Sequence, residues 1–505
     1  MHPNHHAARP GTSVSPLPRL ATTVATALVT CLTAPLAVTT ADAAPPARRA
    51  ATTVASATAP DAARPLATRD WWPLEARVLE ALRSGAASQT IAIDLPRLGV
   101  VTLELARTAT TTDDFVLELA RIEKGETIRT TAEPVLPIAY AGRIAGFPES
   151  RVYLGIGTGD GAGIVAGTIA LDPDSTEAAA TDTWWISSGP LAARRAGLPP
   201  MIAHARGLAG QSVDGLACAA GALAGGPDAG AAGEGGVAGG TACREFRLAI
   251  DTDTEFTMAA HGGNAVAASQ YALLLLGAAS QVYDRDLDAK LPVRYLRLWT
   301  GEDIWTGADM FEQLTQYRDH WAANMGAVPR DLGHYLAGRG LGGGVAWLGV
   351  VCTGNDWSYA LSSGIGYGFP YPLVDHDHGN WEPMVVNHEI GHNFGAPHTH
   401  DHSPQADGCG TNDCSQAWSG TIMSYCHICD GGMSNVSLAF HPYSIASMQG
   451  HLGGVGCSDA GSTAVDDAVS TLEGVGATVT PLANDAFVNC SAATLLSFDT
   501  SSIAG

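Results

Sequence analysis

The stretch from Asn387 to His400, "NHEIGHNFGAPHTH", carries four histidines, a glutamate and two glycines. On an α-helix, residues four positions apart share a face, so His388 and His392 can direct their imidazoles at a single metal ion. Glu389 follows the first of these histidines and can reach a water molecule on the same ion. The stretch therefore predicts a metal-binding helix with a general base beside the metal.

A third ligand requires the helix to stop and the chain to turn back. Gly395 can adopt the left-handed conformation without a Cβ clash, and Pro397 prevents the helix from resuming. His398 then approaches from a different direction, which gives three nitrogen ligands and leaves a fourth position for water, as in catalytic zinc sites. His400 is the alternative third ligand, but the spacing from Gly395 favours His398.

The extended pattern His-Glu-x-x-His-x-x-Gly-x-x-His, followed by "GTIMSYC" at Gly420 to Cys426, resembles the metzincin clan of zinc peptidases. The resemblance implies an α/β (α+β) catalytic domain with a mixed five-stranded sheet and an active-site helix. It also implies one catalytic Zn²⁺, with Met423 in the Met-turn beneath the metal.

Within the clan, the chain is most similar to the bacterial reprolysin or ADAM-like branch. The run "GGGVAWLGVVC" resembles the strand at the edge of that branch's substrate cleft, which implies that an extended substrate pairs with Gly343 to Cys352. The resemblance further implies a disulfide between Cys352 and Cys457. Two more bridges, with three alternative connectivities, are then left for the remaining cysteines of the region, which are Cys409, Cys414, Cys426 and Cys429.

Two positions differ from the ADAM-like pattern: Thr399 replaces an expected residue, and Tyr425 matches a feature of other branches. The ADAM-like branch usually has aspartate directly after the third histidine, whereas this chain has Thr399, with Asp401 two residues further on. Tyr425 lies two residues after Met423, where the astacin and serralysin branches carry a tyrosine that approaches the metal or the transition state. Tyr425 is either such a catalytic residue or an ordinary packed tyrosine.

Composition restricts the partners and the location of the protein. The formal net charge of −23 argues against nucleic acid or an anionic membrane as a partner. Residues 1–43 have a positive flank, an apolar run and an "ADA" cleavage site, which together predict a signal peptide and a secreted or cell-surface protein. After its removal no membrane span is expected, and the ten cysteines fit an oxidising compartment.

The chain divides into further segments after the signal peptide. Residues 44–243 form a propeptide that is mostly β and ends in a Gly/Ala-rich linker, because "YAGRIAGFPESRVYLGI" and "GIVAGTI" resemble ADAM-type propeptides. Residues 244–458 alternate strands and helices in the order β-α-β-α-β-β-β-α and form the catalytic domain. Residues 459–505 are either a partial immunoglobulin- or cadherin-like module or a disordered tail.

The propeptide offers a candidate inhibitor of its own enzyme. The resemblance implies that a propeptide cysteine can occupy the open zinc position, and Cys218 in "GLACAAG" is the best placed candidate. The alternative is a disulfide between Cys218 and Cys243. Both interpretations remain open from the sequence.

We therefore expect a secreted zinc endopeptidase that is made as a zymogen, acts on proteins or peptides, and uses Glu389 as general base. The alternative is a secreted adhesive or binding protein with a purely structural zinc site. Calcium is a further candidate ligand because paired aspartates occur in two places, although such pairs are more often solvated loops; the residues are Asp251, Asp253, Asp375 and Asp377. The sequence does not define an oligomeric state.

Overall fold

The structure is a computed structural model that describes residues 70–171, 183–208, 217–220, 244–354, 356–373 and 381–457. The predicted signal peptide and C-terminal module, together with Cys243, Asp375 and Asp377, lie outside these residues. The predicted domain boundaries therefore stay predictions.

The N-terminal region consists mainly of strands, as the sequence predicts. Its elements are β1 (Trp71–Pro73), α1 (Ala76–Arg83), β2 (Ser88–Leu95), β3 (Gly99–Arg107), β4 (Thr111–Glu123), β5 (Glu126–Ala132), β6 (Ile138–Ile144), β7 (Phe147–Ile156), β8 (Val165–Ala170), β9 (Thr183–Ser187), α2 (Leu191–Arg195) and β10 (Met201–His204). Eight of these strands form an antiparallel sheet in the order β1-β10-β9-β8-β7-β6-β3-β2. The remaining two, β4 and β5, leave this sheet and join another one.

The second part of the chain alternates strands and helices. Its elements are β11 (Ala217–Ala220), β12 (Arg244–Glu245), β13 (Leu248–Thr252), α3 (Ala265–Leu287), β14 (Ala289–Lys290), β15 (Val293–Trp299), α4 (Met310–Asn324), β16 (Leu332–Ala337), β17 (Gly343–Ala346), β18 (Tyr359–Ser363), α5 (Glu382–Asn393) and α6 (Pro442–Leu452). Strands β12 and β14 form a short parallel pair.

The main sheet of this part has eight strands in the order β11-β17-β18-β16-β13-β15-β4-β5. Its five central strands, β17 to β15, come from the predicted catalytic segment and form a mixed array, because β17 alone among them runs antiparallel to its neighbour β18. Strands that precede residue 244 extend this array at both edges: β11 pairs with β17, and β4 pairs with β15. The β-rich region and the catalytic segment thus share one sheet.

Helices cover both faces of the sheet. Residues of α3 and α5 pack in one core, and residues of α4 pack in another on the opposite side. The side chain of Asn264 caps the start of α3 by accepting a hydrogen bond from Ala267 N, and Asp288 ends that helix in the left-handed conformation. These helices fix the position of α5, which carries the predicted metal ligands.

Helix α3 is long and apolar enough to cross a membrane by length and composition. However, 83% of its most apolar 18-residue window is buried inside the protein. It packs against α5, β15 and the N-terminal sheet, as expected of the core helix of a folded domain.

The cleft-edge strand is shorter than the sequence suggests. Strand β17 ends at Ala346, and Gly349 has a positive φ of 63°. The amides of Gly349, Val350 and Val351 then donate to carbonyls at the end of α5, the last two to Asn393 O at 2.8 and 2.9 Å. Residues beyond Ala346 therefore hold the active-site helix instead of continuing the strand.

Candidate metal centre

Three histidines converge at the end of α5. One ligand nitrogen from each of His388, His392 and His398 lies within 4.8 Å of the others. The Nε2 atoms of His392 and His398 are 3.2 Å apart. Two nitrogens of a tetrahedral zinc site with Zn–N bonds of about 2.0–2.1 Å are separated by roughly 3.3 Å, so this spacing fits zinc.

The opposite nitrogen of each ring faces an oxygen. The pairs are His388 Nδ1 with Ile422 O at 2.6 Å, His392 Nδ1 with Ala396 O at 2.7 Å, and His398 Nδ1 with the Asp401 carboxylate at 3.3 Å. Such acceptors hold the proton on Nδ1 and turn the Nε2 lone pair inward, which is the tautomer a metal requires. Burial lowers the pKa of all three rings, which favours the neutral form that binds metal.

The turn after α5 depends on glycine. Gly395 has a φ of +99°, and a Cβ at this position would lie 2.8 Å from His451 Cβ on α6. The amides of Gly395 and Ala396 bond back to His392 O and Gly391 O at 2.9 Å each, which closes the helix. His398 then follows in extended backbone and meets the two helix histidines. The structure therefore brings together the three ligands that the spacing predicts.

Glu389 lies between the histidines and the edge strand β17. Its side chain is fully buried, and among the described residues neither carboxylate oxygen has a hydrogen-bond partner. A Cβ at Gly344 would lie 2.7 Å from both Cγ and Cδ of Glu389, so only glycine leaves room for the carboxylate here. Burial raises the pKa of Glu389 well above its usual range.

The Met-turn packs beneath the helix. Met423 is fully buried, and its sulfur lies 2.8 Å from the position of a Cβ on Gly391. The carbonyl of Met423 accepts a hydrogen bond from the amide of Thr399 at 3.1 Å. The Met-turn therefore braces both the helix ligands and the segment that carries His398.

The departure at Thr399 has a local explanation. Thr399 is buried against the Met-turn, and a short 3₁₀ turn, Thr399–Asp401, brings Asp401 back to the Nδ1 of His398. The aspartate displaced by two residues thus still contacts the third histidine. His400 stacks on His398 with a ring separation of 5.1 Å and does not join the three-histidine group.

Three disulfides brace the region around the site. They are Cys352–Cys457, Cys409–Cys426 and Cys414–Cys429. The first is the bridge that the family resemblance implies, and the other two select one of the three open connectivities. Together they tie the segment after the third histidine and the C-terminal end of the catalytic segment to the rest of the fold.

A strand from the N-terminal part lies over the site. Strand β11 pairs in parallel with β17, with Cys218 opposite Gly344. The Cys218 sulfur, a ring nitrogen of His388 and a carboxylate oxygen of Glu389 all lie within 4.8 Å of one another. Among the described cysteines Cys218 is the one free thiol, and Cys243, its partner in the alternative bridge, lies outside the described residues. Burial and the nearby Glu389 carboxylate raise the pKa of the Cys218 thiol.

Tyr425 contacts both the metal ligands and the covering strand. Its ring lies 4.6 Å from that of His398, and its hydroxyl donates a hydrogen bond to the carbonyl of Cys218. The tyrosine therefore lies between the third histidine and the covering strand.

The aspartates considered for calcium are engaged elsewhere. Asp251 and Asp253 are fully buried, so the interpretation as solvated loop residues is wrong for both. Asp251 accepts hydrogen bonds from Arg297 and from two tryptophan side chains, while Asp253 accepts them from three backbone amides. These donors occupy the oxygens that a calcium ion would need.

Sequence reasoning missed two contributors to the site. In the sequence Asp401 is only a departure from the branch pattern, and Gly344 is only one residue of the edge strand. The run of glycines at 342–344 is the signal that could have identified the second, because adjacent glycines in a strand often mark a close approach of another group.

Comparison with known proteins agrees with the geometry. Residues 242–437 match the family model Reprolysin_5, described as metallo-peptidase family M12. No curated protein matches the chain. Similar solved structures include metalloproteinase-II from Bacteroides fragilis, at 10% identity over 74% of this chain and 94% of that chain with a TM-score of 0.39. Another is a chaperone–substrate complex, at 15% identity over 32% and 24% of the two chains with a TM-score of 0.23.

The segment that matches the family model contains all three histidines and the Met-turn. Residues 242–437 are thus similar to metallopeptidase family M12, and this match identifies the protein as a metalloendopeptidase.

Proposed function

We propose that the protein is a secreted, zinc-dependent endopeptidase that is made as a zymogen and inhibited by its own Cys218 strand. One observation carries the proposal: three inward Nε2 atoms, a buried carboxylate and a free thiol from a preceding segment meet at one edge strand. Secretion is supported by the signal-like N-terminus and by the three disulfides, which persist in oxidising compartments.

His388, His392 and His398 would hold the zinc ion through Nε2. Bound zinc supplies a Lewis acid that polarises a peptide carbonyl and lowers the pKa of a water ligand to about 7. The acceptors on the three Nδ1 atoms orient the rings and increase their basicity. Three protein ligands leave room for water and substrate, which is the arrangement of a catalytic site.

Glu389 is the proton carrier of the proposed reaction. Its carboxylate receives the proton of the attacking water and passes it to the nitrogen of the leaving amine. Close contact with the backbone of Gly344 holds the carboxylate between the histidines and the cleft edge. Tyr425 can donate a hydrogen bond to the developing oxyanion once its hydroxyl no longer bonds to the carbonyl of Cys218.

The substrate is an extended peptide that pairs with β17. The edge of this strand offers main-chain hydrogen bonds to any extended segment, which favours unfolded or loop regions of proteins as substrates. In the uncut chain β11 occupies this edge and runs parallel to β17. The branch resemblance implies an antiparallel substrate, so the covering strand lies in the reverse direction.

A second candidate function is a structural zinc site in an adhesive protein. The proximity of the Cys218 sulfur to His388 favours it, because a thiolate as permanent fourth ligand would close the site. The two functions differ in what happens when Cys218 is removed. A zymogen gains activity, whereas a structural site loses zinc affinity and gains none.

The test is Cys218→Ala in the otherwise uncut chain, measured by hydrolysis of a quenched, denatured casein and by zinc content. We expect activity to rise towards that of wild type cut in the Gly/Ala-rich linker, with about one zinc retained per chain. The double variant Cys218→Ala, Glu389→Gln controls for contaminating peptidases. Loss of zinc without any gain in hydrolysis would contradict the zymogen proposal.

A further inference from the structure

The catalytic sheet is extended by a hairpin from outside the segment that matches the peptidase family. Strands β4 and β5 lie at residues 111–132, whereas the family match begins at residue 242. We propose that this hairpin is a permanent part of the catalytic fold. When the chain is cut in its Gly/Ala-rich linker, the N-terminal fragment then remains bound as a noncovalent subunit of the mature enzyme.

Backbone pairing between β4 and β15 is continuous over five residues of each strand, after a register shift between Val293 and Tyr295. The parallel register runs from Tyr295 opposite Val116 to Trp299 opposite Ala120. Further main-chain bonds extend the pairing at both ends: Val293 N donates to Thr110 O at 3.0 Å, and Thr300 N donates to Ala120 O at 2.8 Å. Without β4, the edge of β15 would be an exposed row of unpaired backbone groups.

Both faces of β4 pack against core residues of the catalytic segment, with Leu117 and Ala120 buried and the flanking apolar side chains partly buried. Side chains at odd positions pack in the core that contains α3 and α5, and those at even positions pack in the core that contains α4. The odd-numbered residues are Phe115, Leu117 and Leu119, and the even-numbered ones are Val116, Ala120 and Ile122. A strand covered on both faces is typical of the interior of a sheet and not of a detachable segment.

Charge also links the hairpin to the catalytic core. Glu118 on β4 lies 3.9 Å from Arg297, which is 1% exposed and forms a buried ion pair with Asp251. At the edge of the interface Arg294 pairs with Asp114 at 2.8 Å. Loss of β4 would leave the buried guanidinium of Arg297 with one carboxylate fewer, which is unfavourable in a region of low dielectric.

The N-terminal sheet adds a second contact with the catalytic segment. Gln270 on α3 accepts a hydrogen bond from Thr158 N at 2.8 Å and donates to Val135 O at 2.8 Å. Gly155 on β7 has no space for a Cβ because Leu274 of α3 packs directly on it. The N-terminal fragment therefore contacts the catalytic segment in two places, through the β4–β5 hairpin and through its own sheet packed on α3.

Inhibition and sheet completion use opposite edges of the sheet. Strand β11 covers β17 beside the metal centre, whereas β4 covers β15 at the other end of the strand order. The inhibitory strand has four residues, and the hairpin strand β4 has thirteen. Release of β11 can thus open the cleft while β4 stays in place, so activation does not require loss of the N-terminal fragment.

This inference rests on the proposed zymogen only for the existence of a natural cut, and its test does not use peptidase activity. A recognition sequence for a specific viral protease is inserted between Gly235 and Gly236 in the full chain, in a Glu389→Gln background that prevents self-cleavage. After cutting, the two fragments are analysed by gel filtration with light scattering, and a non-reducing denaturing gel verifies that no disulfide joins them.

We expect the fragments to elute together as a one-to-one complex and to separate only in denaturant. Hydrogen exchange of the β15 amides, Val293–Trp299, should be as slow after the cut as before it. Separation of the fragments under native conditions, or rapid exchange of these amides in the cut protein, would overturn the proposal.

Two variants localise the effect to the hairpin. Leu117→Glu places a charge in the buried face of β4 and should cause the fragments to separate after the cut. Thr130→Glu adds the same charge at an exposed position of β5 and should leave the complex intact. Equal retention by both variants would show that the N-terminal sheet and β11 hold the fragment without β4, and would refute the role given to β4.

Discussion

The position of one carboxylate depends on the absence of one side chain. Glu389 fits between the histidines and β17 because Gly344 presents only backbone to it. A general base must lie within hydrogen-bond reach of the proton that it removes, so a displaced carboxylate loses its function even when the metal is bound. A change in the contact between Gly344 and Glu389 should therefore impair catalysis without affecting metal binding.

Gly344→Ala should lower the turnover number of the cut enzyme by at least about tenfold, because the new methyl group pushes Glu389 aside. Zinc content should not change, since the variant does not contact the histidines. The matched control is Gly340→Ala, where an added Cβ meets nothing within 4 Å. Steady-state kinetics and metal analysis check both, and equal activity of the two variants would contradict the role of the contact.

At the residue scale, the motif spacing named the three histidines that the structure brings together. It could not identify Asp401 as the partner of His398, because the short 3₁₀ turn that returns this aspartate to the ring is not visible in a pattern of residue types. It also could not place Asp251, whose burial depends on Arg297, 46 residues further along the chain. Contacts of this kind arise only when distant strands pair.

At the scale of elements, a short π-helical turn, Phe256–Ala260, leads to a buried histidine in front of α3. The His261 ring packs 5.1 Å from both Phe256 and Tyr271, and among the described residues neither of its nitrogens has a hydrogen-bond partner. Burial, with a smaller effect of Arg194, lowers the pKa of His261 to about 3. This ring is thus held neutral by its surroundings.

The lowered pKa of His261 predicts a loss of stability in mild acid. The unfolded state binds a proton near the ordinary histidine pKa of about 6.5, whereas the folded state does not until about 3. The free energy of unfolding therefore falls as pH decreases below about 6.5, by up to about 1.4 kcal/mol per pH unit from this group. His261→Phe should remove this part of the slope.

Urea unfolding of wild type and His261→Phe at about pH 7.5 and about pH 5.5 measures the difference. Other titrating groups act on both proteins and cancel in the comparison. An identical loss of stability in the two proteins on acidification would show that His261 does not contribute.

The sequence predicts a strand or helix where its hydrophobic periodicity is strong. It does not predict which sheet a strand joins, because that depends on pairing with distant strands. The run "FVLELARI" reads as a strand, and its apolar residues on both faces indicate burial on both sides, but neither property shows which sheet it joins. Strand β11 has no strand signal in "ACAA", because it forms only by pairing with the edge of β17. Tertiary contacts determine the positions of both β4 and β11 in the main sheet.

At the scale of the whole molecule, the N-terminal region contributes structure to the catalytic segment as well as a strand over its cleft. Strand β4 lies beside β15, and its side chains join the core of Leu296 and Leu298 on one face and that of Tyr295 and Trp299 on the other. A catalytic segment made without β4 exposes this apolar edge, which favours aggregation. The fold thus depends on residues that the family match does not include.

Residues 244–457 expressed alone should give little soluble, folded protein. Coexpression with residues 70–208 as a separate chain should raise the yield several-fold, because β4 and β5 can complete the sheet from a second polypeptide. The yield of monodisperse, zinc-binding protein after gel filtration is the measurement. Equal yields with and without the second chain would mean that the five central strands fold independently.

The most direct test of the account compares wild type with Glu389→Gln in the full chain after the linker has been cut. Hydrolysis of a quenched, denatured casein is measured with and without a zinc chelator, together with zinc content. We expect chelator-sensitive hydrolysis by wild type and at least about a hundredfold less by the variant, with about one zinc per chain in both. Equal hydrolysis by the two proteins, or zinc binding by the cut wild type without hydrolysis of any substrate, would contradict it.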